Sequence, residues 1–400
     1  MKFVGSSGRL HALCVLCTFA PLMGLFYHIS SEVSTLAEHK FLYIYLSRKT
    51  LTNTLNRYII IGMQDTRDIR SICLHCFATV NPKTRICPRC GKHADEQSPA
   101  GALPMRTVLS GRYLISAPLG RGGFGITYKG YDMYTSSVVA IKEFFPKGYT
   151  KRLPNTTVVE LGTVENAKVF NYWLTAFIQE AKVLTSIKHL DGIVSIYDFF
   201  LTNNTAYIIM EYLNGMSLHR FINGRGGKLH MTETLNIMRP VIETLLRLHQ
   251  HGVIHKDISP ENIQIVDNRI IKLIDFGAAS IYTQNIQKPF FVLKKGYSPL
   301  ELYTQGGSQG PWTDIYELGS TIYTCLVGNP PPEATERRVT DKIVPPSQLG
   351  VKIQPVREKS LLKALSVYPK DRYSNIAAFQ QMFYGEFMPN SVLQSTNPNK

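Results

Sequence analysis

The 400 residues carry a formal net charge of +15 and 44% apolar side chains, a composition that excludes a disordered chain, and the length admits two or three domains with a sizeable core. The N-terminal quarter is the more basic part, but no Lys/Arg run exceeds two residues, so the charge reads as a solvated surface rather than a nucleic-acid or lipid tract. Seven cysteines, four of them clustered, argue against a disulfide framework and for metal ligation in a reducing compartment.

Residues 1–62 open with an apolar stretch, Leu10 to Ile29, of about membrane-spanning length, broken by Pro21 and Gly24 and preceded by Lys2 and Arg9. Positive-inside orientation would carry the rest of the chain away from the cytoplasm, which conflicts with everything downstream. The expectation is therefore that Met63 is the true start and that 1–62 are absent from the mature, cytoplasmic protein. The alternative is a membrane anchor or hairpin in which Phe41–Leu46 and Tyr58–Ile61 take part. Cys14 and Cys17 fall in the apolar run and read as incidental.

Residues 71–93 hold Cys73-x2-Cys76-x10-Cys87-x2-Cys90. Each CxxC puts two sulfurs on one tight turn, and the two turns together offer four thiolates to a tetrahedral ion. Structural Zn2+ is the expected metal, with no open position for catalysis. The segment resembles a zinc ribbon. Its expected role is structural or protein docking; nucleic-acid binding through Lys83, Arg85, Arg89 and Lys92 is not the expectation. Residues 94–110 read as a polar linker with Pro, Gly and Ala.

From Tyr113 the pattern becomes a large mixed domain reaching Tyr384. Strand-like runs cover Tyr113–Leu119, Ile126–Lys129 and Ser137–Ile141. An amphipathic helix follows, with Phe170, Trp173, Phe177, Ala181 and Leu184 at helical spacing. Later segments are mainly helical, with Pro240 inside one of them, and 385–400 are a polar tail.

Between the first two strands lies Gly120-Arg-Gly122-Gly-Phe124-Gly125. Glycine there lets backbone N–H groups approach phosphate oxygens. A strand, not a helix, comes next, so the loop is a flap between strands and not a dinucleotide loop. Val139-Ala140-Ile141-Lys142 places a lysine to grip phosphates, and Glu180 on the amphipathic helix is its natural partner. His255-Lys256-Asp257-Ile-Ser259-Pro-Glu-Asn262 offers a base, Asp257, and a metal ligand, Asn262. Asp275-Phe276-Gly277 supplies a second metal ligand, Asp275.

These motifs, in this order, make residues 113–384 resemble a protein kinase domain. The likeness is to bacterial eukaryotic-like serine/threonine kinases, seen also in Gly123-Phe-Gly-Ile-Thr-Tyr128 and Gly310-Pro-Trp-Thr-Asp-Ile-Tyr316. The resemblance implies an α+β bilobal fold, with a β-rich N-lobe and a helical C-lobe, behind a small zinc ribbon. It implies transfer of the ATP γ-phosphate to protein hydroxyls, with Mg2+ (or Mn2+) at Asn262 and Asp275. Leu119, Gly120, Gly122, Gly123, Phe124, Gly125, Thr127, Ala140, Lys142, Met210, Glu211 and Leu213 would surround the nucleotide, Met210 as gatekeeper. Asp314 would brace the catalytic loop, and Glu301 would pair with Arg372. Protein substrates are the implied partners, with a protein partner at the ribbon. The alternative is a nucleotide-binding pseudokinase scaffold acting through that ribbon.

The sequence departs from the family pattern on its substrate side. Lys256 stands where an arginine usually precedes the catalytic aspartate. Ser259 stands where a lysine usually reaches the γ-phosphate, and Lys294 or Lys295 is a candidate substitute. Lys294-Lys-Gly-Tyr-Ser-Pro-Leu-Glu301 lacks the usual threonine that contacts the aspartate. Thr283, Ser280 and Tyr282 are candidate phosphosites.

Overall fold

The computed structural model describes residues 67–94, 98–267, 270–281, 293–304 and 306–385. Residues 1–62, with Cys14 and Cys17, the candidate phosphosites Tyr282 and Thr283, and the tail from 386 lie outside them.

Strands β1 (Val108–Leu109), β2 (Tyr113–Arg121), β3 (Gly125–Asp132) and β4 (Ser137–Phe144) send Leu109, Ile115, Ile126, Tyr128, Ile141 and Phe144 into one core. The sequence foresees shorter strands: Gly120 and Arg121 extend β2 beyond Leu119, and Gly130 to Asp132 extend β3 beyond Lys129, by ladder pairing rather than by an apolar signal. A small pair, β5 (Thr150–Lys151) and β6 (Glu160–Leu161), precedes helix α1 (Val164–Ser186), capped by the Thr163 side chain. Strands β7 (Ile196–Thr202) and β8 (Thr205–Glu211) complete a six-stranded antiparallel sheet of order β1-β2-β3-β4-β8-β7. α1 packs Phe170 and Phe177 against Phe144, with ring centroids 5.0 and 5.4 Å apart.

The chain then enters β9 (Gly215–Ser217), α2 (Leu218–Gly224) and α3 (Met231–Gln250). Short strands β10 (Val253–Ile254), β11 (Ile263–Val266), β12 (Ile270–Leu273) and β13 (Ser280–Ile281) carry the catalytic motifs between them. They form two small sheets, β12-β11-β9 and β10-β13. Helices α4 (Pro311–Val327), α5 (Ala334–Val339), α6 (Pro355–Ala364) and α7 (Ile376–Tyr384) complete the second lobe. α4 is buried from Thr313 to Leu326, so it is the hub of this lobe, and Met238, Val241 and Leu245 of α3 join its core. α3 runs through Pro240; the cost of the missing N–H donor is met by the apolar face this helix buries.

Residues 71–93 form two knuckles, closed by the bridges Ile72↔Thr79 and Ile86↔His93. They do not stand apart from the six-stranded sheet. Ile72, Leu74 and Phe77 share a buried cluster with Leu114, Tyr131 and Met133 of β2 and β3 and the turn after them. The segment read as a linker follows the same surface: Leu103 is buried, its N–H donates to the Tyr128 hydroxyl, and Val108–Leu109 pairs with β2. Its Pro, Gly and Ala content hides the apolar anchors Leu103 and Leu109. Among the described residues no helix is long and apolar enough to cross a membrane.

Candidate active site

β2 and β3 stay paired up to Gly120↔Thr127 and Arg121↔Ile126, and the Gly122 N–H closes the turn on the Gly125 carbonyl at 2.9 Å. A Cβ at Gly120, Gly122 or Gly123 would meet nothing within 4 Å. No protein neighbour demands glycine there, which fits a backbone cradle kept clear for phosphate oxygens. Gly125 is different: a Cβ would sit 2.3 Å from the Glu143 carbonyl, so it is required by strand packing. Phe124 at the tip meets Trp173 of α1 edge-on at 5.1 Å. Leu119 is half exposed at the rim.

Lys142 pairs in register with Thr127 on one side and Ile208 on the other. Its Nζ lies 2.8 and 3.0 Å from the Glu180 carboxylate oxygens and 3.0 Å from Asp275 Oδ1. Burial disfavours the ammonium, but the carboxylates of Asp275 and Glu180 outweigh it and hold the Lys142 pKa above the ordinary lysine value. Lys142 in turn holds Asp275 down to about 2. Ala140 pairs with Met210 near the end of β8. The Glu211 N–H donates to the Ser195 carbonyl at 2.9 Å, and its carboxylate accepts from Lys272 at 2.5 Å. The strand end before Leu213 is thereby fixed.

The loop between β10 and β11 is held from beneath by α4. Asp314 accepts the N–H groups of His255 and Lys256 at 2.9 and 2.8 Å and pairs with His249 Nε2 at 2.7 Å. Glu317 accepts the Ile258 N–H at 2.8 Å, and burial raises its pKa well above the usual carboxylate range. The His255 ring packs against buried Phe276 in a tilted arrangement, with centroids 4.6 Å apart. Lys256 and Asp275 both have φ of 62°, a left-handed backbone that non-glycine residues adopt at a cost of ~1–3 kcal/mol. The Asn262 amide donates to the Asp257 carbonyl at 2.9 Å, which leaves the amide oxygen as its ligand atom. Burial raises the Asp257 pKa to about 6 against the opposing pull of Lys294. Lys294 Nζ lies 2.8 Å from Asp257 Oδ1.

Glu301 and Arg372 meet as a buried bidentate pair at 2.8 and 3.1 Å. The sequence reading missed another. Glu143 is fully buried, pairs with Arg152, and accepts the Tyr128 and Tyr207 hydroxyls at 2.8 Å each. Its signal was available, since strand alternation puts Glu143 on the same face as Val139 and Ile141, where an apolar residue is expected.

The sulfurs of Cys73, Cys76, Cys87 and Cys90 all lie within 4.8 Å of one another, with 3.7 Å between Cys73 and Cys90 and 3.5 Å between Cys76 and Cys87. Four thiolates ~2.3 Å from a tetrahedral Zn2+ stand ~3.8 Å apart, so the donor set fits that ion. Burial pushes the Cys76 thiol up to about 12. Cys87, despite its burial, is drawn down to about 7 by the N–H groups of Cys90 and Arg89.

The family model for the protein kinase domain matches residues 113–383. A probable serine/threonine-protein kinase of Clostridium acetobutylicum is 29% identical over 276 residues, covering 67% of this chain and 39% of that protein. Serine/threonine-protein kinase PrkC of Bacillus subtilis is 32% identical over 224 residues, 56% of this chain and 31% of that one. Pkn1 of Myxococcus xanthus is 27% identical over 308 residues, 73% and 40%. The chain thus spans two fifths or less of the length of these relatives. A solved structure, the PpkA-294 apo form, superposes with a TM-score of 0.63 at 31% identity, covering 71% of this chain and all of that one. With its two lobes, its glycine-rich turn and its catalytic loop matched over two thirds of its length, the chain belongs to the protein kinase family.

Proposed function

We propose that this protein transfers the γ-phosphate of ATP to serine or threonine hydroxyls of protein substrates. The observation that carries the reading is Lys142, held at once by Glu180 and Asp275, at 2.8 and 3.0 Å. This pairing needs the α1 helix and the Asp275 loop both in place, the arrangement phosphoryl transfer requires.

Leu119, Thr127, Ala140, Met210 and the backbone of Glu211 and Leu213 surround the adenosine, and the turn from Gly120 to Gly125 covers the phosphates. Lys142 orients the α- and β-phosphates. Asn262 and Asp275 would hold Mg2+ through an amide oxygen and a carboxylate, the hard oxygen donors it prefers, and the ion would neutralise charge on the phosphate oxygens. Asp275 is ionised at all working pH values, which suits a ligand. Asp257 orients the substrate hydroxyl and accepts its proton. The hydroxyl oxygen bonds to the γ-phosphorus, the bond from that phosphorus to the β,γ-bridging oxygen breaks, and ADP leaves. Catalysis is by positioning and electrostatics.

The four cysteines would hold a structural Zn2+ and leave it no position for a substrate. The apolar contact of the ribbon with β2 and β3 supports a role as a fixed extension of the N-lobe, and the outer surface of its second knuckle is the place for a protein partner.

The test is label transfer from γ-labelled ATP to casein and to the protein itself, with full-length wild type against Asp257→Asn, followed by phosphoamino-acid analysis. Phosphoserine or phosphothreonine formed only by wild type is the expected result. Equal incorporation by both proteins would sink the reading.

A further inference from the structure

The catalytic loop lacks a cation where one is needed. Two residues beyond Asp257 stands Ser259, a hydroxyl that cannot offset phosphate charge. The segment after Asp275 brings one in. Lys294 Nζ lies 2.8 Å from Asp257 Oδ1, 3.0 Å from Ser259 Oγ and 3.4 Å from Glu261 Oε2. Its neighbour Lys295 is 87% exposed and pairs instead with Glu333 at 3.2 Å. The two lysines, equivalent in sequence, are separated by the structure.

Lys294 is also held still. Its N–H donates to Ser298 Oγ at 2.9 Å, and its carbonyl accepts the N–H groups of Tyr297 and Ser298 at 3.0 and 2.9 Å. The turn needs Gly296, whose φ is +77° and where a Cβ would stand 2.6 Å from the Pro331 carbonyl. Tyr297 is tied to α4 by the Thr324 hydroxyl at 3.1 Å. An ammonium on such a base loses little freedom when it meets a second anion, which is what preorganised electrostatic catalysis demands.

We infer that Lys294 is a catalytic residue, the cation that contacts the γ-phosphate in transfer, and that Lys294 and Ser259 have exchanged the places a lysine and a hydroxyl hold in most serine/threonine kinases. The inference rests on the kinase reading above. In the step, the Lys294 ammonium stays protonated. It stabilises the phosphoryl oxygens while the hydroxyl oxygen–phosphorus bond forms, the bridging oxygen–phosphorus bond breaks and Asp257 takes the proton. It also keeps the Asp257 carboxylate oriented until the hydroxyl arrives.

The test uses full-length wild type, Lys294→Ser, and the exchange variant Ser259→Lys with Lys294→Ser, which keeps the same two side chains in the same space. Label transfer is measured together with calorimetric binding of Mg·AMP-PNP and Mg·ADP, which differ in the γ-phosphate. Lys294→Ser is expected to lower kcat by ~10²-fold, and to raise KM for ATP and weaken AMP-PNP by ~10-fold each while ADP moves less than ~2-fold. The exchange variant regains at least ~10-fold of each loss. The inference is overturned if Lys294→Ser keeps kcat within ~3-fold of wild type, or if AMP-PNP and ADP affinities fall together. A folded exchange variant no better than Lys294→Ser overturns it too. Should Lys294→Ser fail to fold, the exchange variant alone decides. Should wild type label nothing, the kinase reading fails, and selective loss of AMP-PNP binding still judges Lys294.

Discussion

Lys129 of β3 donates to the carbonyl of His75, inside the first cysteine knuckle, at 2.6 Å. The same ammonium lies 5.4 Å from the Phe77 ring and 5.2 Å from the ring of Tyr212, which follows Glu211 between the lobes. Arg106 adds bonds of 3.0 Å to the carbonyls of Ile72 and Ala94. The cysteine module is therefore wired by charged hydrogen bonds to the sheet that carries the glycine-rich turn. Lys129 is coupled by charge to Cys76, Cys73 and Cys90, so its ammonium would offset part of the negative charge of a four-thiolate Zn2+ site.

Removal of the metal is expected to reach the kinase domain through these bonds. Wild type should hold about one zinc per chain, and Cys87→Ser should lose it. Melting of the mutant, followed by calorimetry, should begin ~3–6 °C lower, the shift that ~2–3 kcal/mol gives a domain of this size. A wild type that is folded and metal-free would refute the zinc site. An unchanged melting curve in Cys87→Ser would refute the coupling.

Lys142 faces two carboxylates, one of them, Glu180, only 4% exposed in its side chain. Lys142→Met leaves Glu180 and Asp275 without their shared cation. Label transfer should fall by at least ~10²-fold, and stability should drop by about 2–4 kcal/mol, read from urea unfolding. Glu180→Gln keeps a hydrogen-bond acceptor and should lose less of both. If Lys142→Met unfolded at the same urea concentration as wild type, the buried pair would not be the strut described here.

The nucleotide side was legible because each of its motifs is a short run of sequence whose residue types the chemistry dictates. Gly120 to Gly125, Lys142, Asp257, Asn262 and Asp275 announce themselves locally. Lys294 could be named only as one of two candidates, since Lys294 and Lys295 are adjacent and only the turn at Gly296 sends one inward. The docking of the ribbon was hidden for a different reason. Its cysteines dominate the pattern, while Ile72, Leu74 and Phe77, which bury against Leu114 and Tyr131, are too few to give a period. The Glu143–Arg152 pair joins a strand to the loop beyond it, and sequence spacing says nothing of such partners.

Arg372 is fully buried in its side chain. It donates to Glu301 through both terminal nitrogens and to the carbonyls of Ser366, Val367 and Trp312. Arg372→Ala would leave Glu301 charged and buried, held among the described residues only by the Thr313 hydroxyl at 3.0 Å. The expected cost is about 3–5 kcal/mol of stability, with the fold of the second lobe lost first. Glu301→Gln should cost less, because the amide oxygen still accepts. Denaturant midpoints of both variants decide the matter, and equal small losses would contradict the ranking.

The pH profile follows from Asp257. Burial raises its carboxyl to about 6, above the ordinary value near 3.8, and the base works only when ionised. Hence kcat/KM for label transfer should climb through an acid limb centred near 6 and level off above it. Asp275, held down to about 2 by Lys142, titrates too low to appear in the profile. Lys294 lowers the Asp257 pKa by its charge, so Lys294→Ser should move the acid limb to higher pH as well as lowering the plateau. The same mutant with an acid limb in place would mean that its cation does not face the base. A limb displaced to lower pH would mean that another cation takes over beside Asp257. Profiles of wild type and Lys294→Ser from pH ~5 to ~8.5, at saturating Mg2+ and with kcat/KM determined at each point, measure the effect directly.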